Sequence, residues 1–318
     1  MRNIFRLPVF VLLLLLAAPV SAMADEATGQ RAVLITGAST GLGRAMAELL
    51  AAKGHFVYAG ARRDSDIAEL SAIENIQGIR LDVTVQEDID AAVKTITEAG
   101  RGLYGLVNNA GVAVLYPLIE IDEEEFDFQM DVNLYGPYRV TKAFAPLIIE
   151  SKGRITTTGS ISGILSGPLF GPYSMSKHAM EAFTDSLARE MERFDVTVSI
   201  IEPGNYESKI GANIAARLKA RGFSTEGSLY KEDLERMMGW LDGDQISGDP
   251  QEVAEAARKA LFDDNPKRRY MVVPNQRQAD VTIGKAIEEL VQLNQDQKYS
   301  FSRDELVKML DETLAANP

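Results

Sequence analysis

The stretch Thr36-Gly37-Ala38-Ser39-Thr40-Gly41-Leu42-Gly43 decides the fold, because it joins a short apolar run, residues 32–35, to an amphipathic pattern that starts at residue 42. Glycines at a strand-to-helix turn permit positive φ angles and a close approach of the backbone to a ligand. The following helix would present free N–H groups and its positive dipole end. The stretch therefore predicts a pyrophosphate cradle, whose contacts are Gly37, Ser39, Thr40, Gly41, Leu42 and Gly43. A tight turn without a ligand is the alternative for a glycine cluster taken alone.

The same alternation of apolar runs and amphipathic stretches continues along the chain. Candidate strands lie at 32–36, 56–60, 79–81, 103–107, 154–158, 196–201 and 270–273, and helical patterns lie near 42–53, 86–99, 123–150, 174–193 and 250–262. This βαβ rhythm is typical of a parallel sheet covered by helices on both faces. We predict one α/β domain with a doubly wound, mainly parallel, seven-stranded Rossmann-like sheet.

Two segments depart from this rhythm. Residues 205–248 separate the last two strands and carry adaptable apolar side chains such as Ile214, Met237 and Trp240. We expect this segment to form a substrate lid within a nucleotide-binding domain of residues 30–275, and packing against the sheet or a partner subunit is the alternative. Residues 276–318 predict a helical C-terminal extension.

The N terminus is typical of a secretory signal peptide over residues 1–24. Arg2 and Arg6 precede an apolar run at 7–20, and Ala22-Met23-Ala24 supplies small residues at the expected cleavage spacing. The run is shorter than the roughly 20 residues that span a bilayer as a helix. We expect an exported, periplasmic chain that begins near Asp25, with an uncleaved membrane anchor as the alternative.

Composition excludes several classes of function. The net charge of -13, from 33 basic and 46 acidic residues, repels phosphate backbones and argues against a nucleic-acid partner. Cysteine is absent, which excludes disulfides, thiolate nucleophiles and thiolate-bound zinc, and the two histidines are too few for most metal sites. We therefore predict no metal, and redox chemistry would depend on a bound organic cofactor.

The end of the second strand bears on which dinucleotide would bind. Arg62 and Arg63 follow the strand, and a guanidinium can clamp a 2′-phosphate, whereas a carboxylate there would favour a ribose hydroxyl. The pair favours NADP. Because Asp64 follows directly, NAD stays an alternative, and two solvated arginines without a ligand are the other interpretation.

Tyr173 and Lys177 lie four residues apart on a predicted helix, so they share one face. A phenol with a pKa of about 10 is a poor base at neutral pH, but a neighbouring ammonium stabilises the phenolate and lowers its pKa. The pair predicts a proton-exchanging tyrosine. Taken alone, this spacing is common on ordinary helices.

Five motifs together resemble the short-chain dehydrogenase/reductase family. They are residues 36–43, Asn108-Asn109-Ala110-Gly111, Ser160, Tyr173-x-x-x-Lys177 and Pro203-Gly204, and the resemblance covers roughly residues 30–275. The amino-acid sequence of residues 175–187 is similar to that of the retinol, hydroxysteroid and 3-hydroxybutyrate dehydrogenase branch of the family. The resemblance implies hydride transfer between NADP(H) and an alcohol or ketone, and a homo-oligomer.

The resemblance also implies residue roles. Ser160 would hydrogen-bond the substrate oxygen, Asn133 would hold a water in a proton relay, and Lys177 would also bind the nicotinamide ribose. Ser162 is a rival for Ser160, but it stands two residues off the family spacing to Tyr173. The other implied cofactor contacts are Tyr173, Asp82 and Val83 at the adenine, Asn109, Ala110 and Gly111 along the floor of the cofactor site, and Pro203, Gly204 and Ser208 at the nicotinamide carboxamide. Ser208 stands where the family usually has a threonine.

A non-catalytic dinucleotide sensor or scaffold is the second class of function. It would need the cradle but not Tyr173, Lys177 and Ser160 together, so the oxidoreductase is favoured. The sequence says least about the substrate, for which we hypothesise an apolar secondary alcohol or ketone of retinoid, steroid or fatty type. His55 and His178 are interpreted as structural, and residues 123–125 as a solvated helix turn.

Overall fold

The computed structural model describes residues 30–243 and 247–316, so the predicted leader lies outside the described residues. Seven parallel strands form one sheet in the order β3-β2-β1-β4-β5-β6-β7. They are β1 (Ala32–Ile35), β2 (Phe56–Ala61), β3 (Ile76–Arg80), β4 (Gly105–Asn108), β5 (Arg154–Thr158), β6 (Thr197–Pro203) and β7 (Arg269–Val272). The strand order reverses between β1 and β4, and open α/β sheets bind ligands at the carboxyl edge of such a switch point.

Helices cover both faces of the sheet, as predicted. They are α1 (Gly41–Ala52), α2 (Asp64–Ser71), α3 (Gln86–Glu98), α4 (Glu123–Met130), α5 (Gly136–Glu150), α6 (Gly171–Met191), α7 (Ile210–Ala220), α8 (Lys231–Asp242), α9 (Pro250–Phe262), α10 (Gln276–Asn294) and α11 (Arg303–Ala316). Val33 packs in the core with α1 and α9, while its neighbour Leu34 packs in the core with α3, α5 and α6. Because successive strand residues point to opposite faces, a strand covered on both sides reads as a continuous apolar run.

The structure corrects three of the predicted elements. The helix predicted over 123–150 is interrupted by a π-helical turn, Asp131–Tyr135. The third strand lies at Ile76–Arg80 instead of 79–81. Helix α2 was not predicted, because Leu70 is its only buried residue and its apolar periodicity is weak.

Residues 205–243 and 247–248 lie outside the sheet, and the two ends of this segment are hydrogen-bonded to each other. Tyr206 and Gly248 pair as an isolated parallel bridge, the Gly248 N–H donates to the Asn205 carbonyl at 2.9 Å, and the Glu207 N–H donates to the Gly248 carbonyl at 3.1 Å. Helices α7 and α8 lie between these joined ends. The C-terminal extension consists of α10 and α11. Within the described ranges, no helix has the length and apolarity needed to cross a membrane.

Candidate active site

The glycine-rich turn forms an anion cradle at the carboxyl end of β1. Gly37 and Gly41 have φ angles of +65° and +57°. A Cβ at Gly37 would lie 2.8 Å from Ala110 Cα, and a Cβ at Gly43 would collide with Asn109 Nδ2, so glycine is needed at both positions. Helix α1 begins after Thr40 with no side-chain cap and no acidic residue in its first turn. Its N–H groups and positive dipole end fit a pyrophosphate.

The floor of the site is the segment that follows β4. Thr36 Oγ1 accepts hydrogen bonds from the backbone N–H groups of Asn109 and Ala110, both at 2.9 Å. Asn109 Nδ2 donates to the Thr36 carbonyl at 3.0 Å. A Cβ at Gly111 would lie 3.5 Å from Asn133 Oδ1 and 4.0 Å from Lys177 Nζ. The predicted floor therefore runs from the cradle to the predicted catalytic residues.

Asn133 lies in the π-helical turn between α4 and α5 and is buried. Its Oδ1 accepts from the Val112 N–H at 2.8 Å, and its Nδ2 donates to the Val112 carbonyl at 2.9 Å and to Ser176 Oγ at 3.1 Å. Both N–H groups of the Asn133 side-chain amide are therefore used, and their hydrogen bonds hold the segment that follows β4 against α6. The water-holding role stays a prediction.

Tyr173, Lys177 and Ser160 converge where β5 meets the start of α6. Lys177 is buried, its Nζ donates to the Thr158 carbonyl at 2.8 Å, and Nζ lies 5.6 Å from the centroid of the Tyr173 ring. Ser160 Oγ accepts from the Ser162 N–H at 3.0 Å, and the Ser160 side chain also hydrogen-bonds Tyr173. This arrangement favours Ser160 over Ser162 as the partner of the tyrosine.

Burial dominates the electrostatics of this group. It lowers the pKa of Lys177 to about 8, although the nearby Glu181 carboxylate acts in the opposite direction. Burial also raises the pKa of Tyr173, and the hydrogen bond with Ser160 opposes that rise. The predicted lowering of the Tyr173 pKa is therefore not found, because burial is the largest influence on the phenol. At neutral pH, Tyr173 keeps its proton and suits the role of proton donor.

At the adenosine end, the two predicted arginines differ. Arg63 donates two hydrogen bonds to the Asp66 carboxylate, at 2.8 and 2.9 Å. The Arg62 side chain is 69% exposed, and its Nη1 lies 3.8 Å from Asp82 Oδ2, beyond hydrogen-bond length. Asp82 Oδ1 instead accepts from the N–H and hydroxyl of Thr84, at 3.0 and 2.7 Å. Arg62 is the better placed of the two for a further anion. The neighbouring Val83 is buried.

At the opposite end of the cleft, Pro203 and Gly204 follow β6, and Ser208 lies beside the cradle. A Cβ at Gly41 would be 3.2 Å from Ser208 Cβ. Gln278 of α10 supports this loop, because its Oε1 accepts from the Asn205 N–H at 2.9 Å and lies where a Cβ at Gly204 would be. Sequence analysis missed Gln278, which belongs to no motif.

An ion pair fastens α7 to the start of α4. Arg217 donates to both carboxylate oxygens of Glu125, each at 2.7 Å, and its guanidinium lies 3.6 Å from the centroid of the Phe128 ring. Arg221 Nη1 also lies 3.0 Å from Glu125 Oε1. The interpretation of residues 123–125 as a solvated turn is therefore wrong for Glu125, which is buried. Its partner lies 92 residues later in the chain.

Helices α7 and α8 cover the Tyr173 side of the cleft. Ile214, Leu234 and Met237 are buried together with Leu115, and Tyr173 packs against this cluster. Next to it lies a cleft of about 460 Å³. Its lining residues are Pro168, Leu169, Phe170, Asp233, Arg236, Met237 and Trp240. Not every apolar residue of the segment points inward, since Leu229 is 83% exposed.

An acidic pair lies one helical turn beyond Lys177. Glu181 of α6 and Glu202 of β6 share one guanidinium, since Arg269 Nε lies 3.2 Å from Glu181 Oε2 and 3.5 Å from Glu202 Oε1. Asp185 binds the same guanidinium at 2.8 Å. Burial, and then repulsion by Glu181, raises the pKa of Glu202 to about 8. Glu202 therefore keeps its proton at neutral pH.

This pair predicts a pH-dependent stability. Folded Glu202 holds its proton up to about pH 8, whereas the unfolded chain releases it near the ordinary pKa of 4.5. The free energy of unfolding should therefore fall as the pH rises between these values, by up to about 1.4 kcal/mol per pH unit. Urea unfolding at pH 5.5 and 8 should show a smaller loss for Glu202→Gln than for wild type. The exposed Glu190→Gln is the control, and an equal loss in all three proteins would contradict the buried proton.

The fold and the site together define a Rossmann-like α/β protein whose glycine cradle, tyrosine and lysine lie at the carboxyl edge of one parallel sheet. A family model described as short chain dehydrogenase matches residues 31–219, and the chain belongs to this family. It is 30% identical to the crystal structure of a short-chain dehydrogenase from Streptomyces avermitilis, with a TM-score of 0.72 over 83% of this chain and 94% of that one. The predicted family and fold, a short-chain dehydrogenase/reductase on a Rossmann-like sheet, are confirmed.

Two of the similar proteins carry names of the predicted branch. The mitochondrial D-beta-hydroxybutyrate dehydrogenase of Mus musculus is 35% identical, over 63% of this chain and 61% of that protein. The 3beta-hydroxysteroid dehydrogenase of Caenorhabditis elegans is 34% identical, over 75% of this chain and 67% of that protein. The chain thus spans about three fifths of the first relative, and the two relatives are named for different substrates.

Proposed function

We propose that the protein transfers a hydride between NADP(H) and an apolar secondary alcohol or ketone. The observation that carries this proposal is the convergence of Tyr173, Lys177 and Ser160 beside a glycine cradle and beneath an apolar lid. The cradle and floor fit the pyrophosphate and the nicotinamide ribose. In this role NADPH, when bound, supplies the hydride for reduction of the ketone.

The chain's own residues manage the proton and the orientation of the substrate. Ser160 Oγ hydrogen-bonds the carbonyl oxygen and aims it at the Tyr173 phenol, which donates its proton as negative charge develops on that oxygen. The buried Lys177 ammonium stabilises the phenolate that remains. In the oxidative direction, the same phenolate accepts the alcohol proton.

An apolar substrate is supported by what surrounds Tyr173. Leu115, Ile214 and Met237 pack around it, and the neighbouring cleft is bordered by Phe170 and Trp240, whose ring centroids lie 6.3 Å apart. The hydroxysteroid relative is named for a substrate of this apolar kind. Residues 205–248 act here as a lid, and the ion pair between Arg217 and Glu125 holds it down.

The test is a series of ketones of increasing apolar length, assayed with NADPH. Each buried methylene contributes about 0.8 kcal/mol, so kcat/KM should rise by up to about fourfold per methylene until the cleft is filled. Trp240→Ala should flatten this rise, and Leu229→Ala, on the same segment but exposed, should not.

A flat series, or a preference for small polar hydroxy acids, would contradict the apolar pocket. Binding of NADPH without turnover of any carbonyl would instead indicate the sensor or scaffold. If kcat/KM rises equally with ketone length in Trp240→Ala and Leu229→Ala, α8 does not line the substrate site.

A further inference from the structure

The loop that follows β6, residues 204–208, joins the sheet to the glycine cradle. At its start, the Gly204 N–H donates to the carbonyl of Val272, the last residue of β7, at 2.8 Å. At its end, Ser208 lies beside the cradle, since a Cβ at Gly41 would be 3.2 Å from Ser208 Cβ. A displacement of this loop would therefore move one wall of the cleft.

A side chain from the C-terminal extension holds the loop between these two ends. Gln278 Oε1, in the first turn of α10, accepts from the Asn205 N–H at 2.9 Å. The same oxygen fills the space beside Gly204, because a Cβ at Gly204 would collide with it. Gly204 does not have a positive φ angle, so the close approach of Gln278, and not the backbone conformation, favours glycine here. A methyl group at this position would displace the Gln278 side chain from Asn205.

Asn205 is the point at which the lid, residues 205–248, leaves the sheet. The Asn205 carbonyl accepts from the Gly248 N–H at 2.9 Å, so the two ends of the lid meet here. The Glu207 N–H donates to the Gly248 carbonyl at 3.1 Å and joins the same two ends a second time. Gln278 therefore holds the backbone at the base of the lid as well as beside the cleft.

The start of α10 holds the backbone of Gln278 in place. The Asn275 side chain accepts from the Gln278 N–H at 3.1 Å, and the buried Thr282 Oγ1 donates to the Gln278 carbonyl at 2.7 Å. Asn275 and Gln278 have the spacing of a capping box, in which the glutamine side chain returns to the N–H of the capping residue. Here Gln278 Oε1 accepts from the Asn205 N–H instead. The glutamine side chain therefore serves the loop and not the start of its own helix.

The order of the strands places this loop on the side of the cradle where the reaction would occur. Strand β6 pairs with β5, and Ser160 and Tyr173 lie at the carboxyl end of β5. Arg62 follows β2, on the opposite side of β1. Reduction of a carbonyl held by Tyr173 and Ser160 requires the nicotinamide on their side of the cradle and leaves the adenosine on the other. Residues 204–208 would therefore border the nicotinamide.

We propose that Gln278 is a positioning residue for the nicotinamide end of the cofactor. By holding Asn205 and filling the space beside Gly204, its amide keeps the loop where a bound nicotinamide would meet it. The cradle is built by β1 and α1, and Arg62 follows β2, so neither depends on Gln278 for its position. Loss of the amide should therefore weaken binding of the nicotinamide half alone. This role rests on the proposed function, because the direction of the cofactor follows from the placement of Tyr173.

The test compares the binding of two ligands by titration calorimetry: NADPH, and 2′-phospho-ADP-ribose, which corresponds to the cofactor without its nicotinamide. Gln278→Met keeps the length of the side chain and removes the oxygen that accepts from Asn205. It should lower the affinity for NADPH about 2- to 10-fold, the range for one neutral hydrogen bond, and leave the affinity for 2′-phospho-ADP-ribose unchanged. Gln278→Glu keeps an acceptor at this position and should restore most of the affinity for NADPH.

The matched control is Gln276→Met, the same substitution in the same turn of α10, where Gln276 Nε2 donates to the exposed Asp280 at 2.7 Å. It should change neither affinity. Equal losses for both ligands in Gln278→Met, no loss for either, or no restoration by Gln278→Glu would overturn the positioning role, as would a wild type that binds neither ligand. Binding needs no carbonyl substrate, so the expected difference in a protein that reduces no ketone would contradict the proposed turnover and still support the role of Gln278.

Gly204→Ala provides a second test through a double-mutant cycle. The added methyl group would push Gln278 away from Asn205, so the affinity for NADPH should fall to the level of Gln278→Met. In a Gln278→Ala background the space is free, and Gly204→Ala should cause little further loss. An equal loss in both backgrounds would mean that the methyl group acts without Gln278, and it would overturn the positioning role.

Discussion

Replacement of Tyr173 by phenylalanine should lower kcat at least about 100-fold, the loss typical of a removed general acid, while leaving the affinity for NADPH nearly unchanged. The substitution removes the phenolic hydroxyl that hydrogen-bonds Ser160 and keeps the ring that packs among Leu115 and the lid residues. Steady-state reduction of a ketone gives kcat, and quenching of protein fluorescence by NADPH gives the affinity. A loss confined to kcat would identify a proton donor.

The matched control is Tyr104→Phe. Tyr104 lies just before β4, at the amino edge of the sheet, where its ring stacks on Phe262 with centroids 5.7 Å apart. The Tyr104→Phe variant also loses a phenolic hydroxyl, but at a position far from the carboxyl edge of the sheet where the site lies. Its kcat should therefore equal that of wild type. If Tyr173→Phe retains kcat within a few-fold of wild type, another group supplies the proton and the assignment of Tyr173 fails.

The features that could be predicted from sequence are those whose signal is local. Residues 32–35 are apolar without interruption because β1 is covered on both faces, and the glycine spacing that follows reflects the close approach of Asn109 and Ala110. Tyr173 and Lys177 lie on one face because they are four residues apart on α6. Motifs of this kind end strands of one parallel sheet, so the fold itself brings them to one edge.

The features that were missed depend on contacts between distant segments. Glu125 resembles any acid in a first helical turn until α7 folds back and places Arg217 against it. Gln278 becomes part of the site only because α10 passes beside Gly204. The direction of the Tyr173 pKa shift also depends on burial by the lid, and the spacing to Lys177 contains no information about that burial.

The proposed preference for NADP over NAD would depend mainly on a single side chain. A 2′-phosphate near the end of β2 would accept charge-assisted hydrogen bonds from a guanidinium that is free to turn toward it. Arg63 would first have to break two hydrogen bonds to Asp66, whereas Arg62 has only the 3.8 Å approach to Asp82. Sequence analysis could not rank the two arginines, because the difference between them lies in their contacts with Asp66 and Asp82.

We therefore expect Arg62→Ala to lower kcat/KM with NADPH about 10- to 150-fold and to leave kcat/KM with NADH nearly unchanged. The range corresponds to the roughly 1.5–3 kcal/mol of a hydrogen bond to a charged group, at 1.4 kcal/mol per tenfold change. The loss should diminish at high salt, because the Arg62 side chain is exposed and the attraction is screened. Arg63→Ala is the matched control and should change the NADPH to NADH ratio by only a few-fold, since its guanidinium is already paired. If wild type uses both cofactors equally, or if Arg63→Ala removes the preference as strongly as Arg62→Ala, the 2′-phosphate is not recognised in the way this geometry requires.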